Sequence, residues 1–326
     1  MVISISKKLW ENSFSDERIY KAIKKILTWV EDERHRLIFE NNIDVDKIIQ
    51  DQRFYSYSET LKSLVMEQYY SGDNEKKIVR VTENKTMNSS REKSYYNGLL
   101  LVEDQKDKSY HYIDVSKIDS YLGKSLYITV ENSESDKTFI QTVYKLFRGR
   151  ELCTEKEVQF LNGGGDTTHQ VVIENSEAPV RMICIIDSDK KYPQQEYQKI
   201  KDITSTCEER KIELFILKKR EIENYIPDET LKSWLIKSNR KSEVSHSYFE
   251  MSHAQKSYFD MKKGIKVADL EIKEIKELYD SHIKSDLHIG FGRTVWKAFG
   301  EMTKKEQFHN SSDELMQMVE IIDSIK

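Results

Sequence analysis

The spacing of hydrophobic residues changes character along the chain, and the changes mark three zones. In the first, Asp16 stands where a helix N-cap belongs, and Ile19, Ala22, Ile23, Ile26, Leu27 and Val30 follow at helical spacing. This periodicity predicts a helix running on towards Leu37 and Ile38. A second helical period passes through Leu61, Leu64, Val65 and Gln68. The pattern then turns to strands: KKIVRVT, followed by YYNGLLLVE and SYHYIDV on either side of the charged turn DQKDK. The intervening TENKTMNSSREKS is polar and reads as a loop. Residues 1–122 are therefore expected to form an accessory domain of helices plus a β-hairpin. No group of reactive side chains stands out there, so dimer contacts or substrate capture are its expected work.

The second zone, 123–228, alternates short apolar runs with amphipathic ones. LYITV, VQFLN, VRMICIIDSD and IELFIL read as strands, and DKTFIQTVYKLF and QQEYQKIKDITSTCEER as helices, with a weaker helix after GGGD. Continuous apolar strands alternating with helices predict an α/β unit with a parallel sheet covered on both faces. From 229 to 326 the chain reads as mostly helical, with ADLEIKEIKELYDSHI and SDELMQMVEIIDSI the clearest segments. The expected architecture is a central parallel sheet flanked by helices, an N-terminal α+β accessory domain and a helical C-terminal region.

Composition narrows the partners. The chain has 326 residues, with 52 Lys and Arg against 56 Asp and Glu and a formal net charge of −4. That excludes a polybasic binder held by bulk charge, so any nucleic acid needs a local basic patch. The three cysteines, Cys153, Cys184 and Cys207, have neither an even count nor CxxC spacing, which argues against a disulfide framework or a thiolate zinc site. No apolar run reaches membrane-spanning length. A soluble protein of the reducing cytoplasm, without membrane contact, is expected.

In parallel sheets chemistry collects beyond the carboxyl ends of the strands. Here those ends carry Glu131, with Glu134 and Asp136 close behind; Asn162-Gly163-Gly164-Gly165-Asp166; Asp187-Ser188-Asp189; and Lys218-Lys219-Arg220-Glu221-Ile222-Glu223. Carboxylates gathered together repel, and a cation relieves them. Oxygen-only donors suit Mg²⁺ or Mn²⁺ rather than zinc. At a strand end Asp187 and Asp189 share a face, as residues two apart on a strand do, and can address one ion. Two ions roughly 4 Å apart would clamp the attacking and leaving oxygens of a phosphodiester. Strand-end acids also serve as helix caps, and for Glu134, Ser135 and Asp136 capping and catalysis stay equally open. Lys190, Lys191, Lys218, Lys219 and Arg220 place five cations by this acidic mouth, the local field a phosphate backbone requires.

A strand ending in Glu131, a helix, a glycine-rich turn and a strand ending in Asp187-Ser188-Asp189 together resemble a Toprim domain, the module of topoisomerases, bacterial primases, small RNA-maturation nucleases and OLD-family nucleases. REIENYIP, Arg220 to Pro227, is similar to the segment after the last Toprim strand in OLD-like bacterial defence nucleases. The resemblance spans about 124–230. It implies that Glu131 is a metal ligand or general acid/base and that Asp187 and Asp189 bind metal. It also implies that Glu221 or Glu223, with Glu223 preferred, completes a second metal position, that Asp136 is the acid following the first glutamate, and that Lys218 or Lys219 steadies transition-state charge. The implied activity is Mg²⁺- or Mn²⁺-dependent endonucleolytic hydrolysis of DNA or RNA in anti-phage defence, with an ATPase partner supplied in trans and a homodimer as a further expectation. Two departures stand out: the family's glycine after the glutamate is Asn132, and Lys191 occupies the third acid position of topoisomerases and primases. The second favours the OLD-like branch.

No nucleotide-binding motif G-x-x-x-x-G-K-[ST] occurs, so Gly163, Gly164 and Gly165 read as a tight turn beside the acids. The eight histidines lack zinc spacing. His253, Tyr258, Lys262 and Lys263 read equally as a nucleic-acid contact or a solvated helix face. Phe291, Trp296 and Phe299 read as C-terminal core. Two other readings compete: a non-catalytic binding or assembly subunit on a Toprim scaffold, and a phosphatase with Asp187 as nucleophile. Against the second, two strands precede the Asp-x-Asp, which follows the first strand in haloacid-dehalogenase-like folds.

Overall fold

A computed structural model describes residues 2–32, 34–40, 43–71, 77–83, 94–96, 99–103, 109–152, 157–176, 181–240, 246–279 and 286–325. Residues 84–93 of the polar loop, the DQKDK turn, Cys153 and His282 lie outside the described residues. The strands are β1 (Val2–Ile5), β2 (Arg36–Ile38), β3 (Lys77–Thr82), β4 (Ser94–Tyr96), β5 (Leu99–Glu103), β6 (Ser109–Asp114), β7 (Leu126–Val130), β8 (Val158–Asn162), β9 (Met182–Ile186) and β10 (Glu213–Ile216). The helices are α1 (Lys7–Ser13), α2 (Glu17–Glu31), α3 (Val45–Gln50), α4 (Ser58–Ser71), α5 (Ile118–Tyr121), α6 (Ser135–Arg148), α7 (Thr168–Asn175), α8 (Gln198–Arg210), α9 (Asp228–Lys237), α10 (His253–Tyr258), α11 (Lys273–Tyr279) and α12 (Ser312–Ile325). The protein is α/β.

The first sheet has six strands in the order β2-β1-β3-β6-β5-β4. The run β2, β1, β3 and β6 is parallel, whereas β5 and β4 add antiparallel. The expected hairpin is therefore one edge of a larger sheet. Asp16 does cap α2, accepting from the Arg18 and Ile19 amides. The helix stops at Glu31, however, and Leu37 and Ile38 belong to β2, which pairs with β1. Strands of three and four residues carry too few alternations to betray themselves in a sequence. Ile3, Ile5, Val79 and Val81 pack with Leu9, Trp10, Ile19, Ile23, Ile26 and Leu27 into one core.

The second sheet is parallel throughout, in the order β10-β9-β7-β8. Its central strand β9 shows why MICII is apolar at every position. Ile183 and Ile185 enter one core with α6 and the C-terminal region, while Met182, Cys184 and Ile186 enter another with Val172 of α7 and Ile203 and Cys207 of α8. Cys184 and Cys207 are free and buried.

Beyond 228 the chain is helical, as its pattern predicts, but several turns are 3₁₀. ADLEIKEIKELYDSHI is not one helix. A 3₁₀ turn over Val267–Glu271 is separated from α11 by an extended Ile272, with Asp269 drawn into an ion pair to Lys191 at 2.8 Å. Trp234, Phe259, Phe291, Phe299, Leu315, Met318 and Ile322 share the core of Ile128, Phe139 and Ile183. The C-terminal region thus closes over the second sheet rather than folding apart from it. Among the described residues no helix is long and apolar enough to cross a membrane.

Candidate active site at the mouth of the second sheet

Each acid at the sheet mouth is placed by a strand end. Glu131 follows β7 and Asp187 follows β9. Glu221 and Glu223 ride on the loop after β10, where a 3₁₀ turn spans Ile222–Tyr225. Because β9 ends at Ile186, the strand alternation expected to align Asp187 with Asp189 does not reach them. Asp189 instead adopts the left-handed region at φ 56°, uncommon for a residue with a side chain. Its amide donates to Arg220 O at 2.9 Å, and the Ser188 hydroxyl donates to Lys219 O at 2.7 Å. These bonds stitch the exit of β9 to that of β10. Asp187 is buried at 8% exposure, while the Asp189 side chain is 39% exposed.

The acids are buried and mutually repelling. Burial, reinforced by Asp136, Glu131 and Glu223, pushes the Asp187 carboxyl well up from its ordinary value. Burial and the Asp189 charge raise Glu131 to about 7, even though Lys199 pulls the other way. Burial raises Glu221 to about 8 against the pull of Lys262. Glu223 is fully buried. Glu131 Oε1, Asp187 Oδ1 and Glu223 Oε1 are buried with no hydrogen-bond donor.

Two lysines hold this cluster, and neither is among the five cations at the strand ends. The Lys199 ammonium, on α8, donates to Glu131 Oε2 and Asp189 Oδ2, each at 2.8 Å. The Lys262 ammonium lies 3.1 Å from Glu223 Oε2 and 3.3 Å from Glu221 Oε2. Burial alone would lower both lysines, but the facing carboxylates reverse it and raise them. In the sequence Lys262 reads as a surface position, and nothing marks Lys199 within its helix. Glu314 of α12 was equally hidden: its carboxylate accepts from the Lys218 amide at 2.7 Å and the Tyr225 hydroxyl at 2.8 Å, tying the C-terminal helix to the mouth.

The strand-end cations disperse. Lys191 pairs with Asp269, and Arg220 with Asp260 at 2.9 Å. Lys218 is exposed and Lys190 half-buried. Lys219 points away from the acids: its ammonium donates to Asn224 O at 2.9 Å and lies over the Tyr225 ring. Asp136 is spent locally, its oxygens accepting from the Asn132 amide and the Ser135 hydroxyl, each at 2.9 Å. Asn132 answers by accepting from the Glu134 and Ser135 amides at 2.9 and 3.2 Å. That exchange closes the turn between β7 and α6 and explains why a side-chain amide stands at position 132.

The triple glycine clips β8 to β7. The Gly163 amide donates to Val130 O at 2.6 Å and the Gly164 amide to Glu131 O at 3.0 Å. A Cβ on Gly163 would stand 2.4 Å from Thr168 Oγ1 and 2.9 Å from Val130 O, while Gly164 and Gly165 have φ of 65° and 69°. The turn thereby fixes the backbone that presents Glu131.

The donor set suits a hard divalent cation. It is all oxygen, and its three unpartnered buried atoms are costly to leave unsatisfied. Among the described residues, though, no three His, Cys, Asp or Glu side chains are grouped closely enough to hold an ion as they stand; Lys199 and Lys262 sit between the acids. No protein-family model, curated protein or solved structure matches the chain.

Proposed function

We propose that the chain is a divalent-metal-dependent nuclease of Toprim type that hydrolyses phosphodiester bonds of DNA or RNA. The observation carrying this reading is that Glu131 and Glu223, beyond two other strands, both bear on the charge of Asp187, with a buried oxygen of each lacking a donor. Asp187, Glu131, Glu221 and Glu223, with the more exposed Asp189, would hold Mg²⁺ or Mn²⁺. When bound, such an ion supplies Lewis-acid stabilisation of phosphate charge and a more acidic water.

The chain's own groups supply the rest. Without an ion, burial and the Asp189 charge raise Glu131 to about 7, and a bound cation would favour its ionised, ligating form. Lys199 and Lys262 keep the acids from repelling one another and stand where a phosphate's negative charge can be stabilised. Lys190 and Lys218 face outward, where a nucleic-acid backbone would pass. The OLD-like kinship, a cytoplasmic role in anti-phage defence, an ATPase partner in trans and a homodimer extend this reading through the resemblance of the motifs.

One observation favours a second reading, a non-catalytic Toprim-scaffold subunit: the two ammonium groups already pair with four of the acids. Thermal unfolding in EDTA and in Mn²⁺ separates the two. The nuclease reading expects Mn²⁺ to raise the melting temperature of the wild type and to leave Asp187→Ala unmoved. An equal response, or none in either protein, favours the scaffold.

A further inference from the structure

A cavity of about 430 Å³ borders the turn Ile222–Tyr225: Asn224 and Tyr225 line it, but Glu131, Asp187, Glu221 and Glu223 do not. Its size is that of a small-molecule site and well beyond what a bare phosphate fills. Its apolar lining comes from Phe308, Ile226, Pro227 and Tyr248, the last with the Lys256 ammonium 5.2 Å over its ring. Lys219, Lys256 and His253 stand around it.

The charges at its wall are unequally matched. Lys256 pairs with Asp228 at 2.6 Å, and Glu229 with Lys232 at 2.9 Å. Lys219 makes no ion pair among the described residues, although the charges of Glu314 and Asp228 reach it; its ammonium meets one backbone carbonyl and the Tyr225 ring. An ammonium has three protons to place, and a half-satisfied buried one is stabilised by an incoming anion. His253 is exposed at the rim, where a ring nitrogen can meet a polar edge.

We propose that this cavity binds a nucleoside monophosphate group, with its phosphate on Lys219, its ring against the apolar lining of Phe308, Ile226 and Pro227, and a ring edge at His253. The identity of the ring as a nucleobase rests on the nuclease reading; the anion site does not. The same group occurs as a free mononucleotide and as the 5′-phosphorylated end of a strand. Because Asn224 O receives the Lys219 ammonium while Asn224 Oδ1 accepts the Glu221 amide at 2.9 Å, an occupant would bear on the loop that carries Glu221 and Glu223.

Calorimetric titration of the full chain in EDTA tests this without any metal-dependent binding at the acids and without requiring cleavage. The probes are AMP, a 5′-phosphorylated oligonucleotide, its 5′-hydroxyl counterpart and inorganic phosphate. Saturable binding of AMP is expected for a free-nucleotide site, and of the phosphorylated oligonucleotide alone for a strand-end site. In either case the 5′-hydroxyl strand and bare phosphate should bind more weakly. Loss of the charged hydrogen bond in Lys219→Met should weaken binding by about tenfold or more, and His253→Ala, at an exposed position, should weaken it a few-fold with the fold intact. The proposal is overturned if no probe saturates, if phosphate alone matches AMP and the phosphorylated strand, or if both variants, shown folded by circular dichroism, bind as the wild type does. None of these failures touches the acid cluster, whose own test requires metal.

Discussion

Lys262 illustrates how individual side chains govern the site. It faces two glutamates, one of them fully buried, so removing its charge leaves both uncompensated. Lys262→Met should destabilise the protein by about 3–5 kcal/mol, the usual cost of breaking a buried ion pair. Adding Glu223→Gln should recover part of that loss in denaturant melts; a double variant no better than the single would mean the pair is not the cause. Proton linkage follows from the same acids. Glu131 at about 7 and Glu221 at about 8 stand above their ordinary 4.5, so the folded state binds more protons than the unfolded chain across that interval. Stability without metal should therefore fall as pH rises from about 4.5 to about 8. Lys199 and Lys262, both raised, lose their contribution only at alkaline pH beyond this window, and Lys219, lowered to about 8, acts only above it. Melting temperatures in EDTA at stepwise pH check the slope, and Glu131→Gln should flatten it.

Among the elements, the glycine turn between β8 and α7 does most to aim Glu131. Gly163→Ala drives a Cβ into Thr168 and the Val130 carbonyl and should cost about 1–3 kcal/mol, as overpacking does, while displacing Glu131. Gly165→Ala meets nothing within 4 Å and suffers only its left-handed φ of 69°, about 1–2 kcal/mol. Activity measured beside stability should drop far more for the first than the second; equal losses would remove the turn from any positioning role. The elements were unevenly legible in the sequence. Five consecutive apolar residues in β9, and the helix–strand alternation around them, announce a covered parallel sheet. The short β1 and β2 do not, because a parallel strand of three or four residues borrows its stability from neighbours remote in sequence. The site divides in the same way. Glu131, Asp187 and Glu223 could be found because strand ends can be found. Lys199, Lys262 and Glu314 could not, since only the packing of α8, the segment after α10 and α12 over the sheet brings them to it.

At the scale of the whole molecule, the C-terminal helices and the second sheet form one core, and the mouth of that sheet is finished by groups from both. The acids of the sheet, the lysine at 262 and the glutamate at 314 are one assembly. The central claim is that this assembly cleaves phosphodiesters with a divalent ion. Incubating the full chain with supercoiled plasmid, single-stranded DNA and total tRNA, each in Mg²⁺, Mn²⁺ or EDTA, beside a folded Asp187→Ala/Asp189→Ala variant, tests it most directly. The account predicts cleavage of at least one substrate that EDTA and the double substitution both abolish. Cleavage that survives the substitution, or none with any substrate and metal, would contradict it.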